Sequence, residues 1–335
     1  MNQEAQKEER NNVFLPKLED GRKPLIGIVG HGYVGKAIDD AINTPYIDKM
    51  YVDPKYRVTL DQLVDQDPSI TFVCLPTPMS ESGKINCSDI INTITTLMTQ
   101  TRSGVVLKST VTPDIVDKIV RTLNTPEHAQ RFIYSPEFLT EKRATEDMVD
   151  PDYMIIGGPQ QSIDELMMFF RFNTSIKLPE NKTFIVNPVE AAVIKYAINT
   201  FLAMKVTFFN QLFDTVEKDL PGWINPNHLL RIISTEPRIG GSHWRVPGTD
   251  GKRGFGGACF PKDLAAWLYF TDNMSLLAKV KEINDEYRSQ YDLDSREKEN
   301  NVTFINKDKV GEENEHNGET ETELEDIDSR DSVKL

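Results

Sequence analysis

One cysteine stands where it could act as a nucleophile. Cys259 follows a glycine-rich run, GFGGA (254–258), and precedes Pro261, a residue typical of the first turn of a helix. A helix N-terminus offers free N–H groups and partial positive charge, and Lys262 adds a full charge, so both favour the thiolate. Asp263 lies four residues on, one helical turn from the sulfur. The alternative is a structural cysteine buried in a glycine-rich loop.

A second set of residues could bind a dinucleotide. Gly30, Gly32 and Gly35 form a Gly-x-Gly-x-x-Gly motif between an apolar run and a helical pattern, and Asp53 follows about twenty residues later. The glycines permit a tight turn, a close approach of the pyrophosphate and close helix packing, and the helix N-terminus holds the phosphates. The Asp53 carboxylate favours NAD over NADP because it binds ribose hydroxyls and repels a 2′-phosphate. The alternative is a glycine turn without a ligand.

Polar residues also follow three predicted strands and line one helix face. The turns PTP (76–78), KSTV (108–111) and SPEFL (135–139) each come after an apolar run. Since ligands bind beyond the carboxyl ends of parallel strands, we expect these turns near the nicotinamide. Lys195 and Asn199 share a face at i,i+4 spacing among apolar neighbours, which predicts a polar site in a packed helix. Turns, caps and solvated surface positions are the ordinary alternatives.

Strands alternating with helices must position these residues. Short apolar runs at 23–29, 49–53, 70–75, 104–108, 132–134 and 153–156, with helical patterns between them, predict an α/β fold with a Rossmann-like doubly wound sheet. Asn187, Pro188 and Glu190 form a helix start, and that helix can continue to about Lys218. The predicted organisation is a polar leader (1–22), a Rossmann domain (23–186), a central helical and catalytic domain with a dimerisation role (187–292) and a disordered acidic tail (293–335).

Composition narrows the class of protein. The 335 residues carry a net charge of −14, which argues against non-specific binding to nucleic acid or to anionic membranes. Residues 294–335 alone carry a net charge of −8. The three cysteines show neither CxxC spacing nor a disulfide framework, which fits a reducing cytosol. We expect no signal peptide, no transmembrane helix and no metal site, because apolar runs are short and the five histidines are scattered.

In order along the chain, the motifs GIVGHGYVG, LPTP, LKSTV, SPEFL, KYAIN, EPRIG and GFGGACFPKD resemble the UDP-glucose/GDP-mannose dehydrogenase family, from about residue 25 to 263. The family oxidises the primary alcohol of a nucleotide sugar to a carboxylate with two NAD. The resemblance implies that Cys259 attacks the intermediate aldehyde, and that a thiohemiacetal and then a thioester form on its sulfur. Lys195 and Asn199 would stabilise oxyanions, and Asp263 would position water or Lys195.

The resemblance also implies a full set of site residues. Thr110 and Glu141 would hold or activate water, and Glu137 would lie in the same polar shell. The catalytic set is Cys259, Lys195, Asn199, Asp263, Thr110, Glu141 and Glu137. The cofactor set is Gly30, Gly32, Tyr33, Val34, Gly35, Asp53, Pro76, Thr77 and Thr110. The substrate set is Glu137, Phe138, Leu139, Lys195, Asn199, Arg238 and Gly256.

The remaining expectations concern the oligomeric state, a third domain and the loop before residue 254. Arg238 in EPRIG matches a family arginine that reaches the neighbouring subunit's substrate, so the resemblance implies a homodimer built on the long helix. The cysteine pattern separately predicts a cytoplasmic protein. Family members carry a third domain of about 100 residues, which we do not find after the helical region. The loop at 241–253 is long, and we expect Arg245 and Arg253 to bind phosphate in compensation. The alternative function is that of a truncated NAD-binding paralogue with a partner or regulatory role.

Overall fold

A seven-stranded sheet organises the first half of the chain. The computed structural model describes residues 23–123, 125–140 and 142–305. Its strands are β1 (Leu25–Val29), β2 (Asp48–Val52), β3 (Ile70–Val73), β4 (Gly104–Leu107), β5 (Phe132–Tyr134), β6 (Met154–Gly157) and β7 (Thr183–Val186), in the order β2-β1-β3-β4-β5-β6-β7. The first five are parallel, β6 is antiparallel to β5, and β7 is parallel to β6. The predicted doubly wound α/β fold is confirmed.

Twelve helices lie within the described residues. They are α1 (Tyr33–Ala41), α2 (Leu60–Val64), α3 (Ser88–Gln100), α4 (Pro113–Thr122), α5 (Pro126–Gln130), α6 (Ala144–Val149), α7 (Gln160–Asn173), α8 (Pro188–Asp219), α9 (Pro226–Ile233), α10 (Phe260–Phe270), α11 (Ser275–Arg288) and α12 (Ser295–Glu299).

The central strands are buried on both faces, which explains their uninterrupted apolar sequences. In β4, Val105 and Leu107 belong to one hydrophobic cluster while Val106 belongs to another on the opposite face. Successive side chains of a strand point to opposite faces, so a strand covered by helices on both sides needs apolar residues at every position. Strand β7 was not predicted, because Phe184 and Ile185 lie at an exposed sheet edge and show no buried pattern.

The long helix α8 begins as predicted. The side chain of Asn187 accepts from the Glu190 amide at 2.9 Å, and the Glu190 carboxylate accepts from the Asn187 amide at 2.9 Å, which is a reciprocal capping box. By length and composition alone α8 is long and apolar enough to cross a membrane, and half of its most apolar window is buried within the protein.

The described chain divides into two compact units. The first contains the described residues through Lys205, with Gly256–Ala278 and Asp294–Val302; the second contains Val206–Phe255, Lys279–Leu293 and the described residues from Thr303. Helix α12 differs from the expectation of a disordered tail from residue 293. It forms because Asp294 and Glu297 build a capping box, with bonds of 2.8 and 2.9 Å. The predicted leader (1–22) and residues 306–335 of the predicted tail lie outside the described residues.

A buried arginine closes the C-terminal end of helix α3. The guanidinium of Arg131 donates to the carbonyls of Met98, Thr101 and Ser103 at 2.7, 2.9 and 3.0 Å. The last carbonyls of a helix have no partner within the helix, and a cation also complements the negative end of the helix dipole. Burial lowers the pKa of Arg131, while the charges of Glu127 and Asp67 act in the opposite direction.

We expect the Arg131→Ala substitution to destabilise the first unit by about 3 kcal/mol, because it leaves several buried carbonyls without a donor. Arg131→Lys should lose less, since one ammonium can still reach some of these carbonyls. Differential scanning calorimetry measures both variants. Arg121→Ala, which removes an exposed ion pair with Asp117, is the control and should leave the melting temperature unchanged. A wild-type melting temperature for Arg131→Ala would contradict the capping role.

Candidate functional site

The glycine turn after β1 has the geometry of a phosphate cradle. Gly30 has φ +86°, and a Cβ there would lie 2.6 Å from the Cys74 carbonyl oxygen. A Cβ on Gly35 would lie 2.0 Å from the Gly30 oxygen, so α1 approaches the sheet more closely than any side chain permits. At Gly32 a Cβ would meet nothing within 4 Å, so its backbone faces open space at the N-terminus of α1. These residues fit a dinucleotide pyrophosphate.

The carboxylate of Asp53 is held at the edge of this turn. One oxygen accepts from the backbone amide of His31 at 2.9 Å, and the other accepts from the Lys55 amide at 3.0 Å. The His31 ring is itself fixed, because it bonds Asp39 and Tyr56, each at 3.0 Å. Sequence reasoning gave His31 no role, since nothing in its spacing marks these partners. The predicted ribose-binding carboxylate is thus oriented before any ligand arrives.

Cys259 lies at the N-cap of α10, and its residue is exposed to solvent. Beside it, Asp263 forms a buried polar chain. Its two oxygens accept from the ammonium of Lys262 at 2.7 Å and from the amide of Asn199 at 2.6 Å. Asp263, Lys262 and Asn199 are 1%, 6% and 6% exposed, so the chain is almost dry. Helices α8 and α10 therefore bring two of the predicted catalytic residues, Asn199 and Asp263, into contact.

A second polar pair involves the turn after β5. The ammonium of Lys195 donates to the carbonyl of Glu137 at 2.5 Å, lies 3.8 Å from its carboxylate and sits 4.8 Å from the ring centre of Phe138. The Glu137 carboxylate also accepts from the Leu139 amide at 2.8 Å. A buried ammonium held by only a few acceptors can turn towards a developing oxyanion. The predicted residues Lys195, Glu137, Phe138 and Leu139 are thus in one cluster.

The thiol of Cys259 is less acidic than the sequence suggested. We expected the helix N-terminus and Lys262 to lower its pKa. Dense packing around the sulfur, followed by the charges of Glu137 and Asp263, instead raises the pKa to about 11, although Lys195 and Lys262 act in the opposite direction. The residue keeps an exposed surface while the sulfur is surrounded by protein. The carboxylates of Glu137 and Asp263, which pair with Lys195 and Lys262, therefore also favour the protonated thiol of Cys259.

Alkylation of Cys259 by iodoacetamide should therefore be slow at pH 7, where roughly 10⁻⁴ of the thiol is ionised, and should rise tenfold per pH unit to about pH 11. Peptide mass spectrometry separates it from Cys74 and Cys87, whose pKa values burial raises to about 12 and about 11. Glu137→Gln should move the Cys259 profile to lower pH, because it removes the carboxylate charge that raises this pKa most. A plateau below pH 9 in the wild type would contradict the assignment.

Sequence analysis missed another buried lysine, Lys108. The ammonium of Lys108 donates to the Ser135 hydroxyl at 3.2 Å, and burial lowers its pKa to about 8 while the Glu137 charge partly opposes this. Lys108 borders a cavity of about 250 Å³ that Glu137, Phe138, Leu139 and Tyr153 also line. The sequence KSTV (108–111) showed that a lysine lies in a strand-end turn, but it did not show that this lysine is buried.

The remaining predicted residues are placed as follows. Thr77 is buried, Thr110, Val34 and Gly256 are half-buried, and Pro76 is exposed at the end of β3. Arg238 belongs to the second unit, where its exposed guanidinium pairs with Glu236 at 2.7 Å. Glu141 lies outside the described residues. The described residues contain no group of three or more His, Cys, Asp or Glu side chains that could hold a metal.

The structure gives Arg253 a different role from phosphate binding. Within the second unit its guanidinium donates to Asn210 at 2.8 Å and Asp214 at 2.8 Å, and it lies 4.9 Å from the Tyr287 ring centre. These protein partners anchor the loop that precedes residue 254. Arg245 is exposed and lies 5.8 Å from the Trp244 ring centre.

The fold and the glycine turn define a Rossmann-type dinucleotide-binding protein. Its first unit also holds Cys259, the buried lysines Lys108, Lys195 and Lys262, and the carboxylates of Glu137 and Asp263. Residues 45–170 match the NAD binding domain of the UDP-glucose/GDP-mannose dehydrogenase family, and residues 189–286 match the family's central domain. The chain belongs to this family.

Individual relatives agree with the family match. The chain is 30% identical over 288 residues to the UDP-glucose 6-dehydrogenase of Rickettsia felis, covering 78% of this chain and 62% of the relative. A UDP-glucose dehydrogenase structure from Pyrobaculum islandicum has a TM-score of 0.61 at 22% identity, covering 80% of this chain and 69% of that one. The UDP-D-ManNAc dehydrogenase structure from Pyrococcus horikoshii gives 0.62 at 19%, covering 79% and 69%. These two structures support the fold alone.

Proposed function

We propose that this chain oxidises the primary alcohol of a nucleotide sugar, with UDP-glucose as the first candidate, to the carboxylate in two NAD-dependent steps. The observation that carries the proposal is Cys259 at the N-cap of α10, within the unit that holds the Lys195–Glu137 and Lys262–Asp263–Asn199 contacts. A four-electron oxidation must retain its aldehyde intermediate, and a covalent thiol adduct does so.

Different residues of the chain would carry out the successive steps of this reaction. The Cys259 sulfur adds to the aldehyde carbon while the carbonyl π bond breaks and its electron pair moves to the oxygen. The thiol proton is transferred to that oxygen to complete the thiohemiacetal. The ammonium of Lys195 and the amide of Asn199 stabilise the resulting oxyanion. After oxidation of the adduct, water attacks the thioester carbon and the thiolate departs as leaving group. Asp263, fixed by Lys262 and Asn199, orients that water or Lys195. Thr110 and Glu141 would also hold or activate water in the acid–base steps.

The cofactor role falls to the glycine turn. When bound, NAD supplies the hydride acceptor for both oxidations. Gly32 and the N-terminus of α1 would hold its pyrophosphate, and Asp53 would accept from a ribose hydroxyl. Thr77 and Thr110, at the ends of β3 and β4, would line the nicotinamide side.

We also propose that the chain acts as a cytoplasmic homodimer. Exposed apolar side chains lie on the sheet edge and on α8: Phe184, Ile185, Val193 and Phe201 are each at least 41% exposed. Apolar residues at an unpaired edge are typical of surfaces covered by a partner. In a dimer, Arg238 would reach the other subunit's substrate. Sedimentation at micromolar concentration measures this, and a monomer would exclude the dimer.

The decisive experiment is NADH production by the purified chain. UDP-glucose, GDP-mannose and UDP-N-acetylmannosamine are supplied separately with excess NAD, and the sugar product is identified by mass spectrometry. We expect two NADH and one sugar acid per nucleotide sugar consumed. The chain spans 62% of the length of the Rickettsia felis relative, so activity of this polypeptide by itself is the quantity to establish. NAD binding without turnover on any sugar would favour the alternative, a non-catalytic NAD-binding role.

A further inference from the structure

The glycine loop before Cys259 is held by a side chain that lies far from it in the sequence. Gly257, two residues before Cys259, has φ +76°, in the left-handed region that favours glycine. Its amide donates to the carboxylate of Glu297, in helix α12, at 3.0 Å. Gly257, Cys259 and Glu297 all belong to the first unit. The direction in which the chain enters α10 is therefore fixed by a side-chain acceptor as well as by the glycine conformation.

The environment of Glu297 makes this attachment directional. The residue is completely buried. One carboxylate oxygen accepts from the Gly257 amide, and the other accepts from the Asp294 amide at 2.9 Å. A buried carboxylate is costly unless its oxygens accept hydrogen bonds, and bonds to a charged acceptor are stronger than those between neutral groups. Glu297 therefore holds the loop more firmly than a solvated surface contact would.

The segment that follows Glu297 is held in turn by the loop after β3. The Met79 amide donates to the Asn300 carbonyl at 3.3 Å, and the Asn301 side-chain amide donates to the Met79 carbonyl at 3.2 Å. The same loop packs on α10, because a Cβ on Gly83 would lie 2.9 Å from the carbonyl oxygen of Ala265. The end of α12 is thus connected to the helix that begins at the nucleophile.

The place of the Cys259 sulfur matters for its chemistry. A nucleophile reacts from about 3–3.5 Å with its orbitals aligned, and a misplacement of about 1 Å can cost about 100-fold in rate. Cys259 is the N-cap of α10, and Asp263 follows one helical turn later. A change at Gly257 would move the sulfur relative to the polar groups that must act together with it.

We propose that Glu297 is a positioning residue for the nucleophile: its carboxylate fixes the Gly257 amide and thereby places the Cys259 sulfur for attack. Glu297 acts through the loop and does not touch the substrate. The effect on turnover rests on the proposed function, whereas the coupling between Glu297 and Cys259 is measured without any sugar.

The test compares Glu297→Gln with Glu299→Gln, the same substitution at an exposed position of the same helix. Glutamine keeps the size of the side chain, but it removes the charge and turns an amide group towards one of the two N–H donors. In the full chain, peptide mass spectrometry follows alkylation of each cysteine by iodoacetamide between pH 7 and pH 11. Turnover with NAD and UDP-glucose gives kcat and KM.

We expect opposite changes in the two measurements. Cys259 alkylation at pH 8 should become about tenfold faster in Glu297→Gln, because a loosened loop lets water reach the sulfur and weakens the burial that raises its pKa. The charged groups that influence the sulfur are unchanged in both variants; they are Glu137, Asp263, Lys195 and Lys262. In contrast, kcat should fall by about tenfold with little change in KM, because the sulfur is less well placed. Glu299→Gln should match the wild type in both measurements.

The outcomes separate positioning from a general structural role. In a folded Glu297→Gln variant, a wild-type alkylation rate of Cys259 or a wild-type kcat would overturn the proposal. An equal rise in alkylation of Cys74 and Cys87, which are distant from this loop in the sequence, would also overturn it, since that pattern indicates general loss of structure.

Hydrogen exchange of the wild-type chain provides a measurement that needs no variant. The Gly257 amide should exchange as slowly as the amides of the central strands, and rapid exchange would overturn the proposal even if Glu297→Gln does not fold. A wild-type chain that oxidises none of the nucleotide sugars would refute the proposed reaction alone. A selective rise in Cys259 alkylation in Glu297→Gln would still support the coupling in that case.

Discussion

The Cys259→Ser variant is expected to form no sugar acid from a nucleotide sugar, with turnover reduced by about 10⁴-fold or more, as for other lost nucleophiles. Serine keeps the size of the side chain and its place at the N-cap of α10, so the fold and the dinucleotide turn should be unaffected. Its hydroxyl is far less acidic than even the raised thiol of Cys259, and it cannot sustain the covalent adduct.

The measurement combines NADH release with mass spectrometry of the sugar. Binding of NAD should match the wild type, which shows that the loss is chemical. Cys87→Ala is the control, because Cys87 is buried in the hydrophobic core and has no role in the proposed reaction. Two NADH per sugar from the serine variant would mean that the aldehyde is oxidised without the thiol.

Lys195→Met has the next largest expected effect, a fall in kcat of about 10² to 10³-fold with a smaller change in KM, the usual cost of losing one oxyanion donor. Methionine fills similar space, but it removes the donor 2.5 Å from the Glu137 carbonyl and the charge that lowers the Cys259 pKa. Alkylation of Cys259 should consequently slow at a given pH. Lys195→Arg should not restore activity fully, because a planar guanidinium cannot occupy the buried ammonium position.

The control for Lys195→Met is the same substitution at an exposed lysine. Lys177→Met removes an exposed lysine paired with Asp150 and should leave kcat unchanged. Calorimetry shows whether Lys195→Met remains folded. A folded Lys195→Met enzyme with kcat within about threefold of wild type would assign oxyanion stabilisation to another group, with Asn199 the first to examine.

Local chemistry explains which features could be predicted from sequence. The capping box of Asn187 and Glu190 was predictable because both partners lie within one turn. Five of the six predicted strands were predictable because burial on both faces leaves apolar runs, whereas β2 is only partly buried. The α12 helix was missed, because charge and composition dominated the interpretation of residues 293–335 and its attachment to Gly257 spans 40 residues of sequence.

The candidate site shows the same difference between local features, which could be predicted, and long-range contacts, which could not. Motif spacing and the family resemblance predicted a set of candidate site residues, and the structure places Lys195, Glu137, Asn199 and Asp263 in two contact pairs within one unit. The protonation of Cys259 could not be predicted, because it depends on how the buried lysines and carboxylates divide their charge around the sulfur. The burial of Lys108 could not be predicted from the sequence for a similar reason, because it depends on packing against residues that are distant in the sequence.

The discontinuous first unit has a consequence for synthesis on the ribosome. The sheet and Asn199 emerge first, whereas Asp263, the partner of Asn199, lies 64 residues later and is separated from it by residues of the second unit. At about 5–20 residues per second, the delay is about 3–13 s. During that interval the nascent polypeptide exposes the apolar face that α10 later covers, including Tyr196, which stacks on Trp267. The growing chain therefore passes through a stage in which this exposed apolar face is open to chaperones before the candidate site is complete.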